Sequence, residues 1–228
     1  MNNDFRVLEI KQNVYKKNEI TADGIRERLK RQKTFMINLM SSPGAGKTTT
    51  LMRTIEKLKN EMQIGVMEAD IDATVDAEKI VTTGAKAIQL HTGGMCHMDA
   101  EMTVQALNEF ETEELDLLVL ENVGNLVCPA EFDTGASMNV AILSVPEGDD
   151  KPLKYPLMFE VCDLVLINKI DTKEVFDFDD DAVIKRILNR NPKAKVLFIS
   201  AKTGQGFDEW ISWIRSTVKE WQELDIKK

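Results

Sequence analysis

The chain has 228 residues, with 29 Lys and Arg against 38 Asp and Glu, for a formal charge of −9. A hydrophobic share of 43% is too high for a disordered chain, and the length allows a core that needs no covalent staples. Three cysteines cannot all pair, no run of about 18 apolar residues offers a membrane span, and the acidic balance argues against a nucleic-acid partner.

Met1-Asn2-Asn3-Asp4 lacks the layout of a signal peptide, so the expected compartment is the reducing cytoplasm, where cysteines are buried, catalytic or metal-binding. Residues 1–33 read as an N-terminal helical extension. Val7, Ile10 and Val14, then Ile20, Ile25 and Leu29, mark one or two short helices, interrupted at Thr21-Ala22-Asp23 and Gly24. The basic cluster Arg26, Arg28, Lys30, Arg31 and Lys33 reads as a solvated face.

Residues 34–228 alternate. Apolar runs at 35–40, 64–67, 87–90, 115–120, 140–145, 164–167 and 196–199 suit strands buried on both faces. Helical spacing follows at 47–60 (Leu51, Ile55, Leu58), 99–110 (Met102, Ala106, Phe110) and 207–221 (Phe207, Trp210, Ile211, Ile214, Val218, Trp221). The acidic run Asp177-Phe178-Asp179-Asp180-Asp181 precedes a helix at 182–190 and favours its positive end. Strand alternating with helix predicts an α/β fold: a doubly wound, mostly parallel sheet of about seven strands, with helices on both faces and ligand sites beyond the carboxyl ends of the strands.

The first strand runs into Ser41-Ser42-Pro43-Gly44-Ala45-Gly46-Lys47-Thr48 and then a helix. This is the P-loop of a P-loop NTPase, G-x-x-x-x-G-K-[ST], with Ser41 where the first Gly is usual. Backbone N–H groups from Gly44 to Thr49 form an anion nest at a helix N-terminus; Lys47 reaches the β- and γ-phosphates and the Thr48 hydroxyl ligates Mg²⁺. The strand at 164–167 ends in Asn168-Lys169-Ile170-Asp171, the N-K-x-D motif of guanine recognition. Asp171 can accept from guanine N1–H and the exocyclic amine, a donor pair that adenine lacks. Asn168 can contact the other edge of the base, and Lys169 can lie over its face. Ser200-Ala201-Lys202, after the last strand, resembles the S-A-K loop that supports guanine. The predicted nucleotide is GTP.

Glu121-Asn122-Val123-Gly124 follows the strand at 115–120 with the spacing of the D-x-x-G found in many GTPases. Glu121 would hold Mg²⁺ and the Gly124 N–H would contact the γ-phosphate, so this segment can switch on hydrolysis. Of the acids after the second strand (Glu68, Asp70, Asp72, Asp76), Asp72 is the first candidate for Mg²⁺ or the attacking water, and Asp70 the next. No Gln occupies a water-positioning slot, which predicts slow turnover. Cys96 and His97 lie on a Gly-rich loop before the helix at 99–110, whose N-cap is Asp99. Cys128 follows Gly124 by four residues. Thiolate and imidazole suit Zn²⁺ or Ni²⁺, but adjacent residues rarely both close one site. Spacing alone leaves an incidental pair and a metal site both open, and two chains would complete a coordination sphere more readily. Cys162 reads as a small core residue and His91, at a strand end, as a packed or satisfied histidine rather than a ligand.

Together these motifs resemble the hydrogenase nickel-incorporation GTPases, the HypB-type maturation proteins. The resemblance rests on Ser42 to Thr48, Glu68-Ala69-Asp70-Ile71-Asp72, Thr92 to Ala100, Glu121 to Pro129 and Asn168 to Asp171, and spans roughly residues 30 to 215. It implies a GTP-dependent homodimer that holds Ni²⁺ or Zn²⁺ between subunits through Cys96, His97 and Cys128. It also implies help in loading nickel into a nickel–iron hydrogenase, with an accessory protein and the hydrogenase large subunit as acceptors. The chain lacks the cysteine-rich N-terminal motif and the His-rich tract of some members, so nickel storage is not expected. Urease accessory GTPases use a Cys-Pro-His arrangement, which the contiguous Cys96-His97 does not match. A urease-type nickel accessory GTPase, a regulatory GTPase with a structural Cys-His loop and a small-molecule kinase are the remaining alternatives.

Overall fold

Seven apolar runs become seven strands, all parallel, in a single sheet; the computed structural model describes residues 10–71 and 75–224. In chain order the elements are α1 (Ile10–Gln32), β1 (Phe35–Ser41), α2 (Lys47–Leu58), β2 (Ile64–Asp70), α3 (Val75–Val81), β3 (Lys86–His91), α4 (Ala100–Glu109) and β4 (Leu117–Glu121). Then come α5 (Cys128–Glu131), β5 (Met138–Ser144), α6 (Lys151–Lys154), α7 (Pro156–Glu160), β6 (Leu164–Asn168), α8 (Asp180–Arg190), β7 (Lys195–Phe198) and α9 (Phe207–Glu223). The strand order is β3-β2-β4-β1-β5-β6-β7. No helix among the described residues is long and apolar enough to cross a membrane.

Period-two alternation sorts the core. Phe35, Ile37 and Leu39 of β1 face α2 and α9, while Met36 and Met40 face the other layer. On the first face, the Trp210 indole N–H donates to Thr54 Oγ1 at 2.9 Å and ties α9 to α2. The second face holds two apolar clusters, one under α1 and α4 and one under α7 and α8. Between them runs a line of amides. Asn122 donates to Asn38 at 3.0 Å, Asn38 to Asn139 at 2.9 Å, and Asn139 to the Val161 carbonyl at 3.2 Å. Asn122 and Asn38 are fully buried, so these paired amides avoid the cost of orphaned polar groups.

Ile10–Gln32 forms one helix that passes through Gly24 without a break, and Val7 lies outside the described residues. Tertiary packing outweighs the glycine: Ala22, Ile25 and Leu29 are buried in the same cluster as Met36, Leu118 and Leu120. Two of its basic residues are tethered rather than solvated. Arg26 pairs with Asp133 at 2.5 Å and donates to the Ala136 carbonyl at 3.1 Å, and Arg28 donates to Asn108 and the Leu107 carbonyl. Burial and these acidic partners act on Arg26 in opposite senses, and the net shift of its pKa is upward. Leu29 is fully buried beneath the sheet. Leu29→Ala should therefore cost about 2–5 kcal/mol in urea denaturation and leave a single transition. A loss below about 1 kcal/mol, or a separate early transition for α1, would contradict this packing.

Candidate functional site

The carboxyl ends of β1, β4 and β6 meet at the phosphate loop. Gly44 and Gly46 take left-handed φ values of +77° and +103°. At Gly46 a Cβ would also lie 2.5 Å from Asn168 Nδ2, so conformation and space both require glycine. Ser41 ends β1 and accepts a hydrogen bond from Lys47 Nζ at 3.1 Å. Thr48 Oγ1 donates to Glu121 Oε1 at 2.8 Å. Gly124 lies against the loop, since a Cβ there would meet Pro43 Cγ at 3.0 Å and Pro43 N at 3.2 Å. A cleft of about 520 Å³ opens here, with Lys47, Thr48, Thr49, Asp70, Glu121 and Gly124 in its wall. Glu68 also lines it and stands opposite Glu121 in the β2–β4 register. Asp72 lies outside the described residues, as does the side chain of Asp76.

The residues expected to recognise the base surround the same loop. Asn168 donates to the Ala45 carbonyl at 2.9 Å and accepts from the Ala201 N–H at 3.0 Å, so its amide joins the phosphate loop to the 200–202 loop. Lys169, at φ +61°, donates to the Gly44 carbonyl at 2.7 Å. Ser200 Oγ donates to Asp171 Oδ1 at 2.6 Å and holds that exposed carboxylate in place. Lys202 is exposed beside it.

Cys96, His97 and Cys128 converge in one chain, with their donor atoms all within 4.8 Å of one another. The two sulfurs are 2.7 Å apart, and Asn125 Nδ2 donates to Cys128 Sγ at 3.8 Å. Gly93 and Gly94, at φ +63° and +94°, curl the loop so that adjacent Cys96 and His97 turn toward one point. The His97 ring stacks on Phe132, with centroids 4.1 Å apart and 11° between planes. Burial pushes the imidazole below its usual pKa, against Asp99 and Glu131, so it remains a neutral donor near pH 7. The Cys128 thiol is raised, first by its hydrogen bond with Cys96 and then by burial, so a bound metal would have to displace its proton. Three such ligands leave one tetrahedral position open. His91 does not join the cluster: it is exposed at the end of the edge strand β3, not packed as the sequence suggested. Cys162 is fully buried in the apolar cluster under α7 and α8, where desolvation pushes its thiol up.

Several positioning residues carry no sequence signal. Arg53 on α2 fans its guanidinium over the carbonyls of Ala201 at 2.7 Å, Lys202 at 3.0 Å and Thr203 at 3.4 Å. Glu147 accepts from the Ser42 hydroxyl and, on its other oxygen, from Ser144 Oγ at 2.7 Å and Ser144 N at 2.8 Å. Asn122 accepts from the Met98 N–H at 3.2 Å, which ties the Cys96–His97 loop to the end of β4. Only Asn122 lay in a segment already singled out. Arg53 sits at an ordinary polar position whose partners are distant in sequence, and Glu147 closes a local Ser144–Glu147 capping box that gives no hint of its contact with Ser42.

The all-parallel sheet and the glycine-shaped cradle define a P-loop nucleotide-binding domain. Residues 35–198 match the family model described as CobW/HypB/UreG, nucleotide-binding domain. The chain is 47% identical over 209 residues to the hydrogenase maturation factor HypB of Azotobacter chroococcum mcd 1, which covers 92% of this chain and 68% of that protein. The crystal structure of hydrogenase maturation factor HypB from Archaeoglobus fulgidus matches with TM-score 0.83 and 40% identity over 89% of this chain and 99% of that one. HypB from Helicobacter pylori in complex with nickel matches with TM-score 0.85 and 36% identity over 93% and 100% of the two chains. The chain belongs to the CobW/HypB/UreG family, and within it to the HypB-type GTPases. Arg53→Ala should weaken GDP binding by about tenfold in a fluorescent-nucleotide titration, because charge-assisted bonds to the 201–203 loop are lost. Arg53→Lys should recover only part of the loss, since one ammonium cannot replace the planar fan. Wild-type GDP affinity in Arg53→Ala would contradict the assignment.

Proposed function

We propose that this chain is a GTP-hydrolysing metallochaperone that binds nickel, or zinc on the same ligands, and assists nickel insertion during nickel–iron hydrogenase maturation. One observation carries the reading. Cys128 sits four residues beyond Gly124, in the segment that leans on the phosphate loop, with its sulfur beside that of Cys96. The nickel held by the Helicobacter pylori protein and the maturation role named for the Azotobacter protein support nickel as cargo. Thiolate and imidazole accept Zn²⁺ equally well, so availability decides between the metals.

In the nucleotide half, the Gly44–Thr49 N–H groups and Lys47 take the phosphates, and Asp171 selects guanine over adenine. Thr48 and Glu121 are the oxygen donors that would hold Mg²⁺, with Asp72 the third candidate, and their hydrogen bond fits such a donor pair. Bound there, the ion would neutralise phosphate charge. Gly124 N–H is the donor for a γ-phosphate that only GTP carries, so hydrolysis alters the segment bearing Cys128. Without a water-positioning Gln, turnover is slow. GTP closes a homodimer in the cytoplasm, the fourth metal ligand comes from outside the protomer, and hydrolysis releases nickel toward an accessory protein and the hydrogenase large subunit.

The test is a nickel titration of the purified full chain, read by thiolate-to-nickel absorbance, with GTP and ATP competition alongside. Cys96→Ala and Cys128→Ala should each weaken nickel binding by more than about tenfold and keep the preference for GTP. Unchanged nickel affinity in both variants, or equal affinity for ATP and GTP, would contradict the proposal.

A further inference from the structure

The two loops that bring cysteine and histidine together are joined by a residue that neither loop contains. Asn18, on α1, donates from Nδ2 to the Asp133 carbonyl at 2.8 Å and accepts at Oδ1 from the Ala100 N–H at 2.9 Å. Ala100 lies four residues after Cys96, and Asp133 five residues after Cys128. The amide has only one consistent orientation, because exchanging its ends would set N–H against N–H and oxygen against oxygen. Ala100 N–H is also one of the orphan donors at the start of α4; Asp99 satisfies Met102 N at 2.8 Å and Asn18 satisfies this one.

A second contact reaches the same place independently. A metal-binding histidine is usually oriented by a hydrogen bond from its other ring nitrogen. Here neither His97 nitrogen has a hydrogen-bond partner among the described residues. Its plane is set instead by Phe132, and Phe132 is backed by Tyr15 of α1 at a centroid distance of 5.5 Å. Arg26 of the same helix pins Asp133 and Ala136, so the Cys128 side is anchored along three turns of α1.

We propose that α1, through Asn18 and the Tyr15–Phe132–His97 stack, is the strut of the metal site, and that Asn18 is a positioning residue fixing the separation of the two ligand-bearing loops. The helix lies outside residues 35–198 that the family model spans. The inference rests on the metal reading of Cys96, His97 and Cys128 given above. Asn18 ligates nothing. It sets the distance at which three donors on two loops can close on one ion.

The experiment uses the full chain and Ni²⁺ alone as probe, with thiolate-to-nickel absorbance as readout and GDP affinity as the fold control. Asn18→Ala should raise the nickel Kd by about tenfold and reduce the charge-transfer intensity per bound ion, with GDP affinity within about twofold of wild type. Tyr15→Ala should act in the same direction. Asn18→Asp keeps the acceptor for Ala100 N–H and should recover part of the loss. Wild-type nickel binding in both Asn18→Ala and Tyr15→Ala, while Cys96→Ala loses the metal, would overturn this proposal alone. Undiminished nickel binding in Cys96→Ala would overturn the metal reading beneath it. A parallel loss of GDP affinity in Asn18→Ala would assign the residue to general folding and also overturn the proposal.

Discussion

The last residues of β4 set the arrangement of everything functional. A strand points successive side chains to opposite faces. Glu121 therefore faces α2, where it accepts from Thr48, and Asn122 faces the other layer, where it holds the Met98 N–H. Glu121, the last residue of β4, and Asn122 just past it thus reach the phosphate cradle and the cysteine–histidine loop respectively. Three residues on, Gly124 packs against Pro43, and four beyond that Cys128 meets Cys96.

The surrounding contacts make the same point from each side. Asn168 and Lys169 bind the phosphate loop to the base loops, and Arg53 binds the 201–203 loop to the helix that begins at Lys47. Asn122 passes its hydrogen bonds on to Asn38 and Asn139, so the Cys96–His97 loop is registered against the centre of the sheet. On the outer side, Asn18 and the aromatic stack hold it against α1. The cysteine–histidine loops thus have one wall made of α1 and the sheet, and one side that shares a segment with the nucleotide cleft. In the proposed function this shared segment would carry nucleotide binding at the cleft to the thiol of Cys128, and linkage would require the effect to run both ways.

The sheet was legible because strands buried on both faces leave continuous apolar runs; all seven appear within a few residues of their expected bounds, and the mostly parallel sheet proved fully parallel. The phosphate loop was legible because its glycines answer to backbone conformation, which any chain must satisfy in the same way. The cysteine–histidine cluster was legible only as a possibility. Spacing could not show that two positive-φ glycines turn Cys96 and His97 to one point, or that Phe132 sits behind the imidazole. The reading of α1 as one or two interrupted helices missed its continuity, since the burial of Ala22, Ile25 and Leu29 against the sheet decides it and local propensity does not. Asn18, Arg53 and the Ser42 contact of Glu147 were illegible because those partners lie more than 80 residues away.

The central claim is that nucleotide state and metal affinity are linked through the Glu121–Cys128 segment. Its most direct test is nickel affinity measured on the full chain with GDP and again with a non-hydrolysable GTP analogue. The linkage predicts at least about a fivefold difference, and the same factor in analogue affinity with and without nickel. Equal nickel affinity in the two nucleotide states, with the analogue bound at saturation, would contradict it.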